Sequence, residues 1–148
     1  MIKVIDLKTR LAEMPILHGR RPDMLEAERQ SSGAFATLAP YRDGNLFFAR
    51  FSGGGAWERH PNGDELVQIV DGTTTFHFVT DNGIEARELK AGSIVVVPQG
   101  MWHRFESAEG VTVMTATPKP TEHLTVDVDD PRTLSDGERS GNTEEKWR

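Results

Sequence analysis

Gly53-Gly54-Gly55-Ala56-Trp57-Glu58-Arg59-His60-Pro61-Asn62-Gly63-Asp64-Glu65-Leu66-Val67-Gln68-Ile69-Val70-Asp71-Gly72 runs through two β-prone segments joined by a short turn. In a strand, side chains two apart share a face, so Glu58 and His60 point the same way. The four residues Pro61 to Asp64 form a turn after His60. Glu65 then opens the next strand and lies beside His60. The triple glycine upstream breaks the pattern. It is not a phosphate loop, because no helix start and no P-loop lysine follows it.

A second block, Gly92-Ser93-Ile94-Val95-Val96-Val97-Pro98-Gln99-Gly100-Met101-Trp102-His103-Arg104-Phe105-Glu106-Ser107, has the same logic. Pro98 and Gly100 mark a tight turn, and His103 starts the following strand with Phe105 on its face. If the sheet curls into a barrel, Glu58, His60, Glu65 and His103 converge in its interior. Imidazole and carboxylate together suit Zn, Fe, Mn, Co or Ni.

Outward from these blocks, short β-prone runs alternate with turn signals. The expected strands are 34–39, 46–51, 57–60, 66–70, 73–80, 84–89, 93–97, 103–106 and 111–116. Pro40 to Asn45, Asp71-Gly72, Asp81-Asn82-Gly83 and Ala91-Gly92 supply turns. Such spacing argues for an all-β sandwich or barrel. No long helical period interrupts it, which argues against an α/β fold. Residues 1–32 read as an N-terminal arm with a short helix around Asp23 to Gln30, and 33–118 as the barrel. Residues 119–148 read as a polar C-terminal extension, in which 122–128 offers one edge strand.

Composition narrows the function. The chain has 148 residues, 36% hydrophobic and 27% charged, enough for one domain with a real core. It has no cysteine, which excludes disulfides and thiolate chemistry. The net charge is −6 and no basic cluster exceeds pairs such as Arg20-Arg21, so nucleic acid is not an expected partner. No apolar run approaches the ~20 residues that cross a bilayer. The N-terminus has charges within its apolar stretch, unlike a signal peptide. The expectation is a soluble, cytoplasmic protein with no membrane partner.

The two blocks resemble the two motifs of the cupin superfamily. Gly92, Pro98, Gly100 and His103 fit the second motif without a gap, with Ser107 where Asn is usual. His60, Glu65 and Gly72 fit the first motif. Glu58 stands where its first histidine is expected, and Ser52 where its upstream glycine is expected. The resemblance implies a cupin-type antiparallel β-barrel, the double-stranded β-helix or jelly roll. It also implies a divalent metal held by Glu58, His60, Glu65 and His103.

With Glu58 bound and ionised, the ligand set is two histidines and two carboxylates, which favours Fe, Mn or Zn over copper. If Glu58 does not bind, two histidines and one carboxylate remain with open positions. Glu58 is then a catalytic residue, free beside the ion to act as a general base.

Bland alternatives stand beside these. Glu65 is a turn acid if the motif frame is wrong, and His60 and His103 are core histidines if the metal has been lost. His77 faces away from Phe76 and Phe78, and His18 and His123 lie in the arms and need no function. Trp57 and Trp102 have the parity of packing residues. The leading function is a metal-dependent enzyme acting on a small molecule, of the dioxygenase, isomerase or decarboxylase kinds that the family contains. The alternative is a non-catalytic module that binds a small molecule or metal. A homodimer is expected from unpaired barrel edges, with the arm's Ile2, Val4, Ile5 and Leu7 laid across a neighbouring subunit.

Overall fold

Alternation along the middle of the chain separates two apolar faces. In the strand Gly44–Gly54, Ala49 and Phe51 turn inward onto Val67, Ile69, Val111 and Val113. Leu46 and Phe48 turn outward onto Met14 and Leu38. A fully buried Phe such as Phe48 or Phe51 contributes roughly 1.5–3 kcal/mol. Both faces therefore need cover, and the rest of the chain supplies it.

The computed structural model describes residues 1–134. The remainder of the expected polar extension, 135–148, lies outside the described residues. The strands are β1 (Leu17–Arg20), β2 (Phe35–Tyr41), β3 (Gly44–Gly54), β4 (Glu58–Arg59), β5 (Glu65–Thr80), β6 (Gly83–Lys90), β7 (Ile94–Val97), β8 (His103–Pro118) and β9 (Glu122–His123). They form one curled sheet of nine strands among the described residues. The fold is all-β and of the jelly-roll type, as the spacing predicts.

β5 and β8 make the spine, antiparallel from Leu66 opposite Ala116 to Phe78 opposite His103. β3 lies along the other edge of β8, from Gly44 opposite Pro118 to Gly54 opposite Glu106. β6 and β7 both pair with β5.

Three strand expectations need correction. Residues 66–70 and 73–80 are one strand, β5, and 103–106 and 111–116 are one strand, β8. The residues read as breaks are register shifts that bend β5 against β8. Gly72 sits at such a bend with φ +78°, where an added Cβ would lie 2.1 Å from the Gly110 carbonyl oxygen. The C-terminal strand is only β9, because the chain then leaves the sheet. It runs over Trp57 and Trp102, placing Leu124 and Val128 against them.

The N-terminal arm is more structured than composition suggests. Asp6 caps α1 (Leu7–Glu13) by accepting from the Thr9 amide at 3.2 Å. Arg50 Nη1 closes its other end, donating to the Leu11 and Met14 carbonyls at 3.1 and 2.7 Å. Ile5 and Leu11 pack on the chain's own outer face, while Ile2 and Val4 stay exposed. β1 runs parallel to β3, with Arg20 beside Gly53. Ser52 fixes this pairing by accepting from the Gly19 amide at 3.0 Å. α2 (Glu26–Ser31) overlaps the helix expected around Asp23 to Gln30, starting three residues later and ending one residue beyond it.

Candidate metal centre

The two motif turns clasp each other. Gln99 donates its backbone amide to Asp64 Oδ1 at 2.8 Å and its side-chain amide to the Pro61 carbonyl at 2.7 Å. The Gly100 amide reaches the His60 carbonyl at 2.9 Å. These bonds bring the end of β4, the start of β5 and the start of β8 to one place. Glu58 pairs directly with His103 across β4 and β8, and directly opposed strand residues share a face.

Ligand atoms of Glu58, His60, Glu65 and His103 all lie within 4.8 Å of one another. His103 Nε2 is 3.1 Å from Glu65 Oε1 and 3.9 Å from Glu58 Oε1. His60 Nε2 is 3.2 Å from Glu65 Oε2. His60, Glu65 and His103 are buried, and Glu58 is the most accessible of the group, its side chain 19% exposed.

The far side of each ring is held. His103 Nδ1 donates to the Met101 carbonyl at 2.9 Å, so Nε2 is the nitrogen turned into the cluster; it donates to Glu65 when the ring is protonated and offers a lone pair when it is neutral. His60 Nδ1 is 3.0 Å from Thr121 Oγ1. Thr117 Oγ1 donates to Glu65 Oε2 at 2.6 Å and lies 2.8 Å from Thr115 Oγ1.

His60 Nε2 is buried and makes no hydrogen bond. It lies 3.2 Å from Glu65 Oε2 without hydrogen-bond geometry. A buried nitrogen left this way costs about 1–3 kcal/mol unless something accepts its lone pair. Two inward imidazole nitrogens and two carboxylates are a donor set that a divalent transition metal fits.

The electrostatics agree. Burial works against the Glu65 carboxylate, yet the His60 and His103 imidazoles overcome it and hold Glu65 well below the usual carboxylate range. Burial likewise opposes protonation of His103. The Glu65 hydrogen bond and the charges of Glu65 and Glu58 nevertheless raise its pKa above the ordinary imidazole value. The pocket therefore stabilises positive charge next to its carboxylates.

The structure thus brings all four expected site residues together. His77 faces the other side of the sheet, opposite Arg104, with Nε2 3.4 Å from Glu106. Ser107 does structural work, donating to the Thr73 carbonyl at 2.7 Å and accepting from the Gly110 amide at 2.9 Å. Trp57 and Trp102 pack under the C-terminal strap.

Sequence reasoning missed the supports. Thr117, Thr121 and the Met101 carbonyl give no signal in sequence, because a strand threonine looks the same whether or not it holds a ligand. It also gave His123 no role, yet His123 lies opposite Glu58 on β9. The row His103, Glu58, His123 crosses three strands.

A curled, mostly antiparallel sheet enclosing a buried cluster of histidines and carboxylates makes a small β-barrel with a candidate metal site. Residues 49–117 match the family model of the cupin domain.

Among solved structures, the chain is similar to a cupin-2 domain containing protein from Shewanella frigidimarina, with TM-score 0.58 and 21% identity, over 78% of this chain and 95% of that one. It is also similar to a Neisseria meningitidis protein, with TM-score 0.54 and 20% identity, over 79% and 100%. A third likeness is to hydroquinone 1,2-dioxygenase from Sphingomonas sp. TTNP3 with 4-hydroxybenzoate bound, with TM-score 0.50 and 17% identity, over 58% and 65%. These likenesses show the fold. No curated protein sequence matches the chain.

Proposed function

We propose that this chain is a cupin and a metal-dependent enzyme acting on a small organic molecule. Its metal is Fe, Mn or Zn, held by His60, Glu65 and His103, with Glu58 as the fourth group. The observation that carries this reading is the convergence of four donors within 4.8 Å, with the Nδ1 of His103 held by a backbone carbonyl. Such a cation would act as a Lewis acid toward a substrate oxygen or bind O₂ beside the substrate.

The chain's own groups divide the work. His60, Glu65 and His103 are buried and fix the site. Glu58 is the accessible member and is the group placed to take or return a proton. The hydroquinone dioxygenase with its bound hydroxybenzoate supports small aromatic or carboxylic molecules as the first substrates to try.

The chain is also proposed to act as a homodimer. β7 pairs only with β5 among the described residues. Its outer face carries Ile94 and Val96, 64% and 55% exposed, beside Leu66. An edge with an apolar outer face is a pairing surface.

The test is elemental analysis of purified protein, followed by chelation and reloading with Fe(II), Mn(II) or Zn(II) while thermal stability is followed. Loaded protein is then screened for O₂ uptake and for loss of substrate. One equivalent of metal with a raised melting temperature and turnover is the expected result. Metal loading without any turnover would make the chain a binding module. No metal and an unchanged melting temperature would overturn the reading.

A further inference from the structure

Two arginines of the N-terminal arm, Arg20 and Arg29, lie within the electrostatic reach of Glu58. Arg20, at the end of β1, lays its guanidinium over the rings of Phe35 and Phe51, with Cζ 4.9 and 4.6 Å from their centroids. Gly55 makes room for it: a Cβ there would lie 3.0 Å from Arg20 Cζ and Nη1. The cation is held in a shaped cradle against the inner core, where Phe35 and Phe51 belong. Its Nε is buried and has no hydrogen-bond partner.

Arg29, from α2, is only 5% exposed. Neither guanidinium makes an ion pair or a side-chain hydrogen bond among the described residues.

Burying two like charges is costly, and the chain shows the cost. Burial first, then Arg29, pushes the Arg20 pKa down to about 10, against the pull of Glu58. Burial also lowers Arg29, against Glu58 and Glu26. Glu58 is the acid that both arginines feel, and ligation of a metal takes that charge away from them. A guanidinium with a buried, unused donor such as Arg20 Nε is suited to a planar, bidentate anion. A ligand carboxylate supplies the missing acceptors and the missing negative charge together.

We propose that Arg20 and Arg29 form a carboxylate-binding subsite beside Glu58, so that the substrate of the metal centre is a small organic carboxylate. The subsite itself stands on the arginines alone. Its link to a substrate rests on the metal-dependent reading above. Arg20 and Arg29 hold the carboxylate, and the rest of the molecule is directed toward Glu58 and the buried ligands.

The experiment is calorimetric titration of the full chain with benzoate and with benzamide, its neutral counterpart. Chelated wild type, zinc-loaded wild type and the variants Arg20→Gln, Arg20→Lys and Arg29→Gln are compared. Benzoate is expected to bind zinc-loaded wild type more tightly than chelated wild type, where Glu58 keeps its charge beside the arginines, and benzamide to bind neither. Removing either guanidinium should weaken benzoate by about 10- to 100-fold. Arg20→Lys should fail to restore it, because an ammonium lacks the planar fork.

If a variant does not fold, the ¹⁵N resonance of Arg20 Nε in wild type decides: it must move with benzoate and stay with benzamide. Equal binding of the two probes, no benzoate binding at millimolar concentration, or binding that survives both arginine changes would overturn the subsite. Benzoate binding without zinc binding would sink the metal reading and leave the subsite standing. Zinc binding without benzoate binding would do the reverse.

Discussion

Thr117 Oγ1 donates a 2.6 Å hydrogen bond to Glu65 Oε2 across 52 positions of sequence, from the end of β8 to the start of β5. The bond fixes which carboxylate oxygen faces His103. Thr117→Val keeps the shape and removes the donor. Metal affinity should fall about 10- to 100-fold, the usual effect of losing a partner behind a ligand. Calorimetric titration with Zn(II) checks it, and unchanged affinity would count against Glu65 as a ligand.

Glu58 distinguishes two roles. Glu58→His restores a third imidazole and should tighten Zn(II) binding. Glu58→Gln keeps the shape but loses the proton-carrying group. It should weaken metal only modestly while lowering kcat by about 10²–10⁴-fold on any substrate found. A Gln variant with wild-type kcat would remove Glu58 from the chemistry.

Removing one partner of a buried charge pair is expensive. His103→Ala leaves the Glu65 carboxylate, 3% exposed, without its 3.1 Å imidazole. Metal-free protein should lose about 3–5 kcal/mol of stability. Urea unfolding measures this. Glu65→Gln, which removes the charge and keeps an acceptor, should lose less while also losing the metal.

The pH dependence should differ between metal-free and loaded protein. Glu65 lies below its ordinary value of 4.5, so its contribution is present above 4.5 and is lost as pH falls toward the folded value. His103 lies above its ordinary value of 6.5, so its contribution is full below 6.5 and is lost as pH rises through the folded value. Metal-free protein should therefore weaken on both sides of that window. In loaded protein the imidazoles are already deprotonated, so the alkaline loss should vanish and acid should release the ion. Urea midpoints between pH 4 and 9, with chelator or with Zn(II), test both signs.

The edge strand gives a prediction about assembly. Ile94→Lys with Val96→Lys puts like charges on the apolar face of β7, so both solvation and charge repulsion oppose pairing of two copies. Sedimentation velocity should show a dimer for wild type and a monomer for the variant. A wild type that stays monomeric at micromolar concentration would remove the homodimer.

The legible part of the sequence was whatever is fixed by short spacing. Glu58 and His60 two apart, Glu65 after a turn, and His103 after Pro98 and Gly100 place ligands through strand parity and turn geometry alone. Arg20 read as half of a surface pair, because stacking on Phe35 and Phe51 depends on partners 15 and 31 residues away that no local pattern announces. The fusion of strands at Gly72 was hidden for a related reason. Asp-Gly favours a turn in isolation, and only the neighbouring Gly110 backbone on β8 makes a bend there the better solution.

The strap from Lys119 to Leu134 changes what counts as a minimal unit. A fragment cut to the matched residues 49–117 retains all four donors. It loses Thr121 behind His60, the Val128 carbonyl that accepts from Trp57 Nε1 at 2.8 Å, and Leu124 above the tryptophans. It also loses β1, which runs beside β3. Such a fragment would expose indole surface and a raw strand edge, and would sooner self-associate than report on chemistry. Grafting this centre onto another barrel would require transplanting the two flanking segments along with the motifs.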